Sequence, residues 1–391
     1  MNGEPAARWT RRHRDLLAAS AGGADGAGSA TTAPLIDFAV QPRVLPHHDI
    51  WDLWPIQDED GSTSVVADRE LWMALSAPAA GHPEARHDRA RIRLLAKDGD
   101  RWTDLGDAFA DGASPGSREW SGSAVRRSDG TVSVFYTAAG RRGEARPTFA
   151  QCVVEARGGL VSDGGGVRLD PGAEHRVVLR SDGRMYLPAD EIDGGPGQIR
   201  AFRDPGWFRD PADGREYLLV AASVAYGDGF MGAVALAAGS RTGGWSLQPP
   251  LLVVDGVHHE IERPHVVVHG SSYYLFFSAQ RYGFHPPGSG FTGLYGFVAP
   301  ALTGPYTPLN GSGLVLRNPS EQIDQAYAWV VLPDRQVVGF LNYRPVAGGD
   351  PWKAEAAEAR AGFGGTIAPV LELTLDGTRT SIVAPAREGA R

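Results

Sequence analysis

Short apolar segments separated by turn residues recur along almost the whole chain, and this pattern constrains the fold more than any other feature. The segments are rich in β-branched and aromatic residues, which is typical of β-strands. Turn dipeptides such as Asp98-Gly99, Asp129-Gly130 and Asp182-Gly183 lie between them. The 51 glycines and 28 prolines are spread along the sequence, as a chain with many tight turns requires. The clearest predicted strands are Glu70–Ser76, Ile92–Ala96, Thr131–Ala138, Glu216–Ser223, Ala233–Ala238, Pro264–Val268, Tyr273–Ala279, Leu314–Arg317, Ala328–Leu332 and Val337–Tyr343.

These strands predict an all-β protein. No segment after the N-terminal region has a long helical period. A length of 391 residues could correspond to two or three domains, but all-β folds often run this long as one. A β-propeller, with antiparallel blades around a central channel, fits the spacing of strands and turns. A β-sandwich is the alternative, for which this chain is long. We interpret residues 1–34 as an N-terminal strap or tail around a short helix, Trp9–Ala19, and residues 35–391 as a single domain.

Charge and composition exclude several classes of function. A net charge of −8 and a pI of about 5.8 argue against a nucleic-acid partner. No apolar run is long enough for a transmembrane helix. The N-terminus lacks the apolar core of a signal peptide, so we expect a cytoplasmic protein, leaderless export or a leader that has been removed. Cys152 is the single cysteine, which excludes an intrachain disulfide and a cysteine-based metal cluster.

Two glutamates stand immediately before a predicted strand. Glu260 and Glu262 are two residues apart, so on an extended backbone they share one face. Two acids on one face beside a buried strand are unfavourable unless they are paired or functional. The alternative is that both are exposed and ion-paired, Glu262 with Arg263 for example.

A second candidate is an aspartate between two tryptophans. Asp52 lies between Trp51 and Trp54. Aromatic faces pack on the C–H surfaces of sugar rings while a carboxylate acts on the ring, so this pattern indicates a sugar subsite. The alternative, which composition alone leaves open, is a pair of core tryptophans beside a capping aspartate.

Two further segments carry polar residues at strand-like positions. Trp120 and Ser121 precede an apolar run, a weak signal on its own. The tripeptide Arg-Asp-Pro occurs twice, and proline holds the preceding aspartate in an extended conformation. The copy with Asp210 runs into a predicted hairpin turn and is interpreted as structural. The copy with Asp204 follows an aromatic residue and is a functional candidate.

Three acids in three separate segments, Asp52, Asp204 and Glu262, suit a retaining glycosidase. One carboxylate attacks the anomeric carbon, and a second protonates the leaving oxygen and later deprotonates the acceptor. A third can hold sugar hydroxyls and stabilise positive charge. The first two must lie roughly 5–5.5 Å apart, which a propeller achieves by bringing inner strands together at the channel mouth.

The ordered motifs WDLWPIQD, EWSGSA, FRDP, EIERPHVV and TGLYGFV resemble glycoside hydrolase family 68, which contains levansucrases, inulosucrases and bacterial β-fructofuranosidases. The resemblance covers nearly the whole chain, because further matches extend it in both directions. These are ARWTR (7–11), LTGPYTPLNGSGLVLRNP (302–319), QAYAW (325–329) and GGTIAPV (364–370).

The resemblance implies a five-bladed β-propeller with a deep axial pocket. It implies that Asp52 is the nucleophile, Asp204 the transition-state stabiliser and Glu262 the acid/base. Strict strand alternation puts Trp51 and Asp52 on opposite faces, so the backbone there must be irregular if both line the pocket. The substrate-binding residues implied by the resemblance are Trp51, Trp120, Ser121 and Arg203 around the fructosyl unit, Glu260 and Arg281 at the glucose or acceptor, and Tyr327 nearby.

These roles set electrostatic requirements. Asp52 must be ionised, and Arg203 is the expected neighbouring cation. Glu262 must start protonated, and we expect Glu260 to raise its pKa through like-charge repulsion.

The chain departs from the family pattern in two places. His259 stands where family members usually have an aspartate that in many of them helps to hold calcium, so we expect no metal and no cofactor. Ala221-Ala222-Ser223 replaces the usual Glu-Gly-Asn or Glu-Ala-Asn, which removes a carboxylate and an amide that support the pocket.

The predicted function is retaining fructosyl transfer from sucrose or a related β-fructoside to water, a sugar or a fructan. The predicted partners are these sugars, without nucleic acid or membrane, and the predicted state is a monomer; family members are usually extracellular. One alternative is a fructosyltransferase with an unusual small-metabolite donor or acceptor. Another is a carbohydrate-binding propeller that has lost catalysis, against which the retention of all three acids argues.

Overall fold

The computed structural model describes residues 4–21, 30–163, 166–170, 172–191, 198–240 and 244–383, and nearly all of its regular structure is β. Two short α-helices are described, α1 (Arg11–Ala21) and α2 (Ala356–Gly362). The strands are β1 (Ala7–Thr10), β2 (His48–Asp58), β3 (Val65–Val66), β4 (Arg69–Pro78), β5 (Arg91–Asp98), β6 (Arg101–Asp107), β7 (Arg118–Arg126), β8 (Thr131–Ala139), β9 (Gln151–Asp163), β10 (Gly166–Leu169), β11 (Glu174–Leu179), β12 (Phe202–Arg209), β13 (Glu216–Tyr226), β14 (Gly229–Gly239), β15 (Trp245–Asp255), β16 (Glu262–His269), β17 (Ser272–Ala279), β18 (Gly293–Ala299), β19 (Thr307–Pro308), β20 (Leu314–Arg317), β21 (Ala326–Val331), β22 (Gln336–Tyr343), β23 (Phe363–Ile367), β24 (Leu371–Asp376) and β25 (Arg379–Ile382).

The predicted strands coincide with observed strands. The prediction for Leu314–Arg317 matches β20 at both ends, and the others lie within or overlap longer strands. The apolar and β-branched residues that gave the signal are the buried residues of these strands. The prediction of a nearly all-β chain is therefore confirmed.

The strands form antiparallel sheets that follow one another along the chain. One array contains β2, β4, β5 and β6, and the next contains β7 to β11. The two are joined where Ile56–Asp58 of β2 pair in parallel with Ala124–Arg126 of β7. The later sheets comprise β12 to β15, β16 to β20 and β21 to β25. Each hairpin connects neighbours in sequence, which is why turn dipeptides punctuate the chain so regularly.

The first long strand of each group of strands contacts the first long strands of the two neighbouring groups. Strand β2 contacts β7, β7 contacts β12, β12 contacts β16, β16 contacts β21, and β21 contacts β2 again. These inner strands therefore form a nearly closed ring. Side chains at the same end of the inner strands are brought together, although they are far apart in sequence.

Every inner strand is interrupted at the same level. The pairing register shifts between Trp51 and Trp54, Trp120 and Gly122, Arg203 and Gly206, Glu262 and His265, and Tyr327 and Val330. A bulge of this kind bends the strand and re-aims its side chains. The irregular backbone expected beside Asp52 is thus present, and it recurs around the ring.

Left-handed backbone accompanies these bulges. The φ angle is +48° at Asp52, +57° at Asp204, +55° at Arg263 and +53° at Ala328. Non-glycine residues adopt such angles rarely, and they concentrate at functional sites. A residue with positive φ therefore accompanies the bulge in four of the five inner strands, β7 being the exception.

The N-terminal segment is integrated into a sheet. The predicted helix Trp9–Ala19 is wrong at its start, because Ala7–Thr10 form β1 and the helix begins at Arg11. Strand β1 pairs in parallel with Leu252–Asp255 of β15. The Trp9 indole is fully buried, and Nε1 donates to the Ser312 carbonyl at 2.9 Å. Burial of this side chain favours the strand over the helical continuation.

The described part of residues 1–34 thus contacts the remainder through β1 and Trp9, while residues 1–3 and 22–29 lie outside the described residues. The boundary at residue 34 stays a prediction. None of the helices in the described ranges is long and apolar enough to cross a membrane.

Replacing Trp9 by alanine is expected to destabilise the protein. The indole packs against the rings of Phe277, Phe284 and Tyr295, with centroids 4.7 to 5.8 Å away. Loss of a buried aromatic side chain decreases the free energy of unfolding by about 3–5 kcal/mol. Urea unfolding followed by circular dichroism measures the change. In Leu35→Ala, where the side chain is 58% exposed, the change should stay within about 0.5 kcal/mol. Equal effects of both substitutions would contradict the docking of the N-terminal segment.

Candidate active site

A cavity of about 250 Å³ opens at the level where the inner strands are interrupted. Residues from four of these strands, and from the connections around them, line it. The three acids singled out from the sequence, Asp52, Asp204 and Glu262, all lie in its wall. The lining residues are Trp51, Asp52, Leu75, Glu84, His87, Asp88, Trp120, Ser121, Phe149, Ile199, Arg203, Asp204, Glu260, Glu262, Gln280 and Trp352.

Asp52 is held by a hydroxyl. Ser121 Oγ of β7 donates a hydrogen bond to Asp52 Oδ2. Burial raises the pKa of Asp52, and the charge of Arg263 and the Ser121 hydrogen bond oppose that rise. The expectation that Arg203 is the cation beside Asp52 is wrong, because Arg203 is engaged by glutamates. Arg263 takes that place, with Nη2 donating to the Leu53 carbonyl at 3.0 Å.

The sequence left open whether the two tryptophans beside Asp52 form a sugar subsite or belong to the core, and the structure gives a different answer for each. Trp51 lines the cavity, as a sugar subsite requires. Both indoles belong to one buried hydrophobic cluster, but Trp54 is not among the described residues that line the cavity, and the Arg263 guanidinium lies 5.5 Å from its ring centroid. The strand bulge between Trp51 and Trp54 lets their side chains point in different directions.

Asp204 lies in the cavity wall and is almost fully buried. Its backbone N–H donates to Thr137 Oγ1 at 2.8 Å, and its Oδ2 accepts from the Arg263 backbone N–H at 3.2 Å. Arg203 Nε lies 4.0 Å from the same oxygen. Burial raises the pKa of Asp204 to about 7, and Arg203 opposes the rise. The carboxyl group is therefore held in one orientation, with its ionised form desolvated.

Arg203 joins the two glutamates that precede β16. Its Nη2 lies 2.5 Å from Glu260 Oε2 and 3.3 Å from Glu262 Oε1. The two acids thus share a face, as predicted, and they are paired with Arg203 rather than with Arg263. Glu260 Oε1 also accepts from the Ile199 backbone N–H at 2.7 Å. Burial raises the pKa of Glu260, again opposed by Arg203.

Glu262 has a second partner on the neighbouring strand. The Tyr327 hydroxyl of β21 donates to Glu262 Oε2. Tyr327 itself borders a smaller neighbouring cavity rather than the main one. With Arg203 on one oxygen and Tyr327 on the other, the Glu262 carboxyl group is fixed while it remains accessible from the cavity.

Arg281 is not among the residues that line the main cavity. Its guanidinium pairs with Asp324 at 3.1 Å and donates to the Tyr282 hydroxyl at 2.6 Å. It approaches the site through Gln280, which precedes it in the chain and lines both cavities. The structure therefore assembles eight of the ten predicted site residues at the cavity and places Tyr327 and Arg281 beside it.

Several lining residues had no sequence signal. Glu84, His87 and Asp88 belong to a short 3₁₀ segment, Pro83–Arg89, between β4 and β5. Phe149, Ile199 and Trp352 come from connections between strands. Such residues carry no periodic pattern, so only the folded chain brings them to the site.

The residues at the family's calcium position do not fit a calcium ion. His259 Nδ1 is engaged by the Phe230 carbonyl at 3.1 Å, and its ring packs beside Phe230. Calcium prefers oxygen ligands. In the described ranges no group of three or more histidine, cysteine, aspartate or glutamate side chains is arranged to hold a metal ion.

The second departure lies directly beside Arg203. Ala221 is fully buried and pairs with Arg203 across β12 and β13. Ser223 is satisfied locally, because its Oγ accepts from the Ala201 backbone N–H at 2.9 Å. Arg203 Nη1 is buried and has no hydrogen-bond partner among the described residues. The methyl side chain of Ala221, which pairs with Arg203 across the strands, cannot accept a hydrogen bond from this arginine.

Comparison with known proteins places this geometry in a family. The model of the levansucrase/invertase family of glycoside hydrolases matches residues 1–241 and 228–390. The chain belongs to this family. It is 32% identical to the levansucrase of Erwinia amylovora over 397 residues, covering 90% of each chain. It is 30% identical to levansucrase LscA of Pseudomonas savastanoi pv. glycinea over 400 residues, again covering 90% of each.

Solved structures agree with the sequence comparison. The inulosucrase from Halalkalicoccus jeotgali bound to kestose aligns with a TM-score of 0.86 and 39% identity, over 97% of this chain and 95% of that one. The levansucrase from Gluconacetobacter diazotrophicus aligns with a TM-score of 0.81 over 98% and 90% of the two chains, and at 24% identity it supports the fold. The predicted family and enzyme class are confirmed: the chain is a fructosyl-transferring glycoside hydrolase. The two alternative functions are not favoured.

Replacing Asp204 by asparagine is expected to change how stability depends on pH. The pKa of Asp204 in the folded protein, about 7, lies above the value of about 3.9 for an unfolded aspartate. Between these values the folded protein binds more protons than the unfolded chain, so this residue makes the free energy of unfolding fall as the pH rises from about 4 to 7. The variant should therefore gain stability over the wild type through that window, reaching about 2–4 kcal/mol above pH 7.

Urea unfolding at a series of pH values measures this difference. Asp228→Asn, at an exposed turn, is the matched control and should follow the wild type throughout. A stability difference that is the same at pH 4 and pH 8 would rule out ionisation of Asp204 as its cause.

Proposed function

We propose that this protein transfers the fructosyl unit of sucrose through a covalent intermediate on Asp52, with Glu262 as acid/base and Asp204 as stabiliser of the transition state. One observation supports the proposal above all. The carboxyl groups of Asp52 and Glu262 line the same cavity, and each is oriented by hydrogen bonds from a neighbouring strand.

In the first step the Asp52 carboxylate attacks the anomeric carbon of the fructosyl unit. The bond from that carbon to the glycosidic oxygen breaks, and this oxygen takes the proton of Glu262 as glucose leaves. Ser121 and Arg263 favour the ionised form of Asp52 that this step needs. Arg203 hydrogen-bonds to Glu260 and to one oxygen of Glu262, so its positive charge stabilises the Glu262 carboxylate that forms when the proton is transferred.

In the second step Glu262 removes a proton from the acceptor hydroxyl, which attacks the same carbon and releases Asp52. Both steps pass through a transition state with positive charge on the fructosyl ring. An ionised Asp204, fixed by the Arg263 backbone N–H, stabilises that charge. This double displacement needs only carboxyl groups, so we propose that it proceeds without a cofactor.

Water as acceptor gives hydrolysis, and a sugar as acceptor gives a longer fructoside. The inulosucrase from Halalkalicoccus jeotgali is bound to kestose, which supports a sugar as the ligand of this chain. We further propose five blades, one for each inner strand of the ring, and a monomer as the active unit. The three proposed catalytic acids lie in one cavity of a single chain, which supports the monomer.

Sucrose turnover in the wild type and in Asp52→Ala tests the nucleophile. Glucose and free fructose are quantified separately, so that the excess of glucose gives the transferred fraction. The variant is expected to lose at least about 10³-fold in glucose release, because alanine has no carboxylate to form the covalent intermediate. Asp52 is the carboxylate that Ser121 orients. Asp228→Asn should retain wild-type turnover. Glucose release by Asp52→Ala at the wild-type rate would refute the assignment.

The substitution Glu262→Gln tests the acid/base role separately from the role of the nucleophile. A donor with a good leaving group, fructosyl fluoride, needs no protonation, so formation of the intermediate should recover relative to sucrose. Fluoride release should then show a burst followed by slow turnover, because the base for the second step is absent. Loss of activity on both donors by the same factor would contradict an acid/base role for Glu262.

A further inference from the structure

One polar side chain of the cavity wall has no part in the mechanism above. His87 lies in the 3₁₀ segment Pro83–Arg89 and borders the cavity. Its ring meets the edge of Trp51 with centroids 5.8 Å apart and planes at 84°. Its backbone carbonyl accepts a hydrogen bond from Trp120 Nε1 at 3.1 Å. His87 thus adjoins two of the three tryptophans that line the cavity, Trp51 and Trp120, and Trp51 is the neighbour of Asp52 in the chain.

The hydrogen bonds of His87 decide which ring nitrogen carries the proton. Nδ1 lies 3.1 Å from the Glu84 carbonyl oxygen and 3.5 Å from Glu84 Oε2. A carbonyl oxygen only accepts, so Nδ1 is the donor and the neutral ring has its lone pair on Nε2. Nε2 makes no hydrogen bond with any residue in the described ranges, and 36% of the side chain is accessible.

A buried network holds this ring in place. Glu84 Oε1 accepts from Arg86 Nη1 at 2.8 Å and from the Tyr343 hydroxyl at 2.7 Å. The Arg86 guanidinium lies 5.2 Å from the centroid of the Trp51 ring. Burial and the charge of Arg86 lower the pKa of His87 to about 4. The imidazole is therefore neutral near neutral pH, and its free nitrogen is an acceptor.

We propose that His87 Nε2 accepts a hydrogen bond from a hydroxyl of the fructosyl unit and so positions the ring that Asp52 attacks. The inference rests on the proposed function, because it takes the sugar beside Asp52 to be fructosyl. Its place beside Trp51 and Trp120 supports the fructosyl unit as ligand.

The first test compares His87→Leu with His87→Gln. The leucine removes the acceptor, whereas the glutamine amide oxygen can replace it. With sucrose, kcat/KM for glucose release is expected to fall roughly tenfold in the leucine variant and to recover in part in the glutamine variant. The ratio of hydrolysis to transfer should stay unchanged, since both acceptors attack the same fructosyl-enzyme.

The second test asks whether His87 and a single hydroxyl act together. A series of sucrose analogues, each lacking one hydroxyl of the fructosyl unit, is assayed with the wild type and His87→Leu. One analogue should lose roughly tenfold in kcat/KM with the wild type and almost nothing further with the variant. The other analogues should show equal losses with both proteins.

Several results would overturn the inference. If His87→Leu alters the ratio of hydrolysis to transfer while glucose release is unchanged, His87 contacts the acceptor instead. If every deoxy analogue loses the same factor with both proteins, His87 does not bind a fructosyl hydroxyl. His47→Leu, at an exposed loop, is the control and should match the wild type, and equal melting temperatures exclude a folding defect. Absence of glucose release by the wild type would instead refute the proposed function itself.

Discussion

The site depends on the balance between four carboxyl groups and two buried arginines. Asp52, Asp204, Glu260 and Glu262 line one cavity, where four negative charges without cations would be strongly unfavourable. Arg203 contacts Glu260 and Glu262 and lies near Asp204. The charge of Arg263 opposes the rise in the pKa of Asp52 that burial causes. Removal of either arginine would leave uncompensated charge inside the ring. The proposed mechanism uses this arrangement, because it assigns different roles to acids that share one cavity.

The interrupted strands give this cluster its geometry. A regular strand would direct adjacent side chains to opposite faces, so Asp52 and Trp51 would not share a cavity. A bulge at the same level of each inner strand turns these side chains inward. Close packing of the backbone accompanies the bulges: a Cβ atom on Gly206 would lie 2.3 Å from the Pro264 carbonyl oxygen. The strain at these positions is maintained by the surrounding sheets, which extend well beyond the cavity.

The sequence predicts the sheets better than it predicts the electrostatics. Strands such as Leu314–Arg317 are recognisable because burial selects β-branched and apolar side chains over a few consecutive positions. The acids are recognisable because Asp52 and Glu262 stand beside aromatic and apolar runs. The cation whose charge acts on Asp52 is not recognisable: it is Arg263, which has a left-handed backbone that composition does not reveal. Likewise Trp9 forms a strand because of a partner more than two hundred residues away, a long-range contact that overrides local helical preference.

Some residues of the cavity wall lie on strands and others lie on the connections between strands, and this distribution matches their proposed roles. The three acids lie on or next to inner strands, where hydrogen bonds from neighbouring strands fix them. His87 and Trp352 lie on connections, which can change in length and sequence without disturbing the ring. Ala221 offers no acceptor to Arg203 across the strands, but Arg203 still contacts both glutamates. In the proposed mechanism the groups that act on the anomeric carbon therefore belong to the sheets, whereas part of the wall that would contact donor and acceptor belongs to the connections.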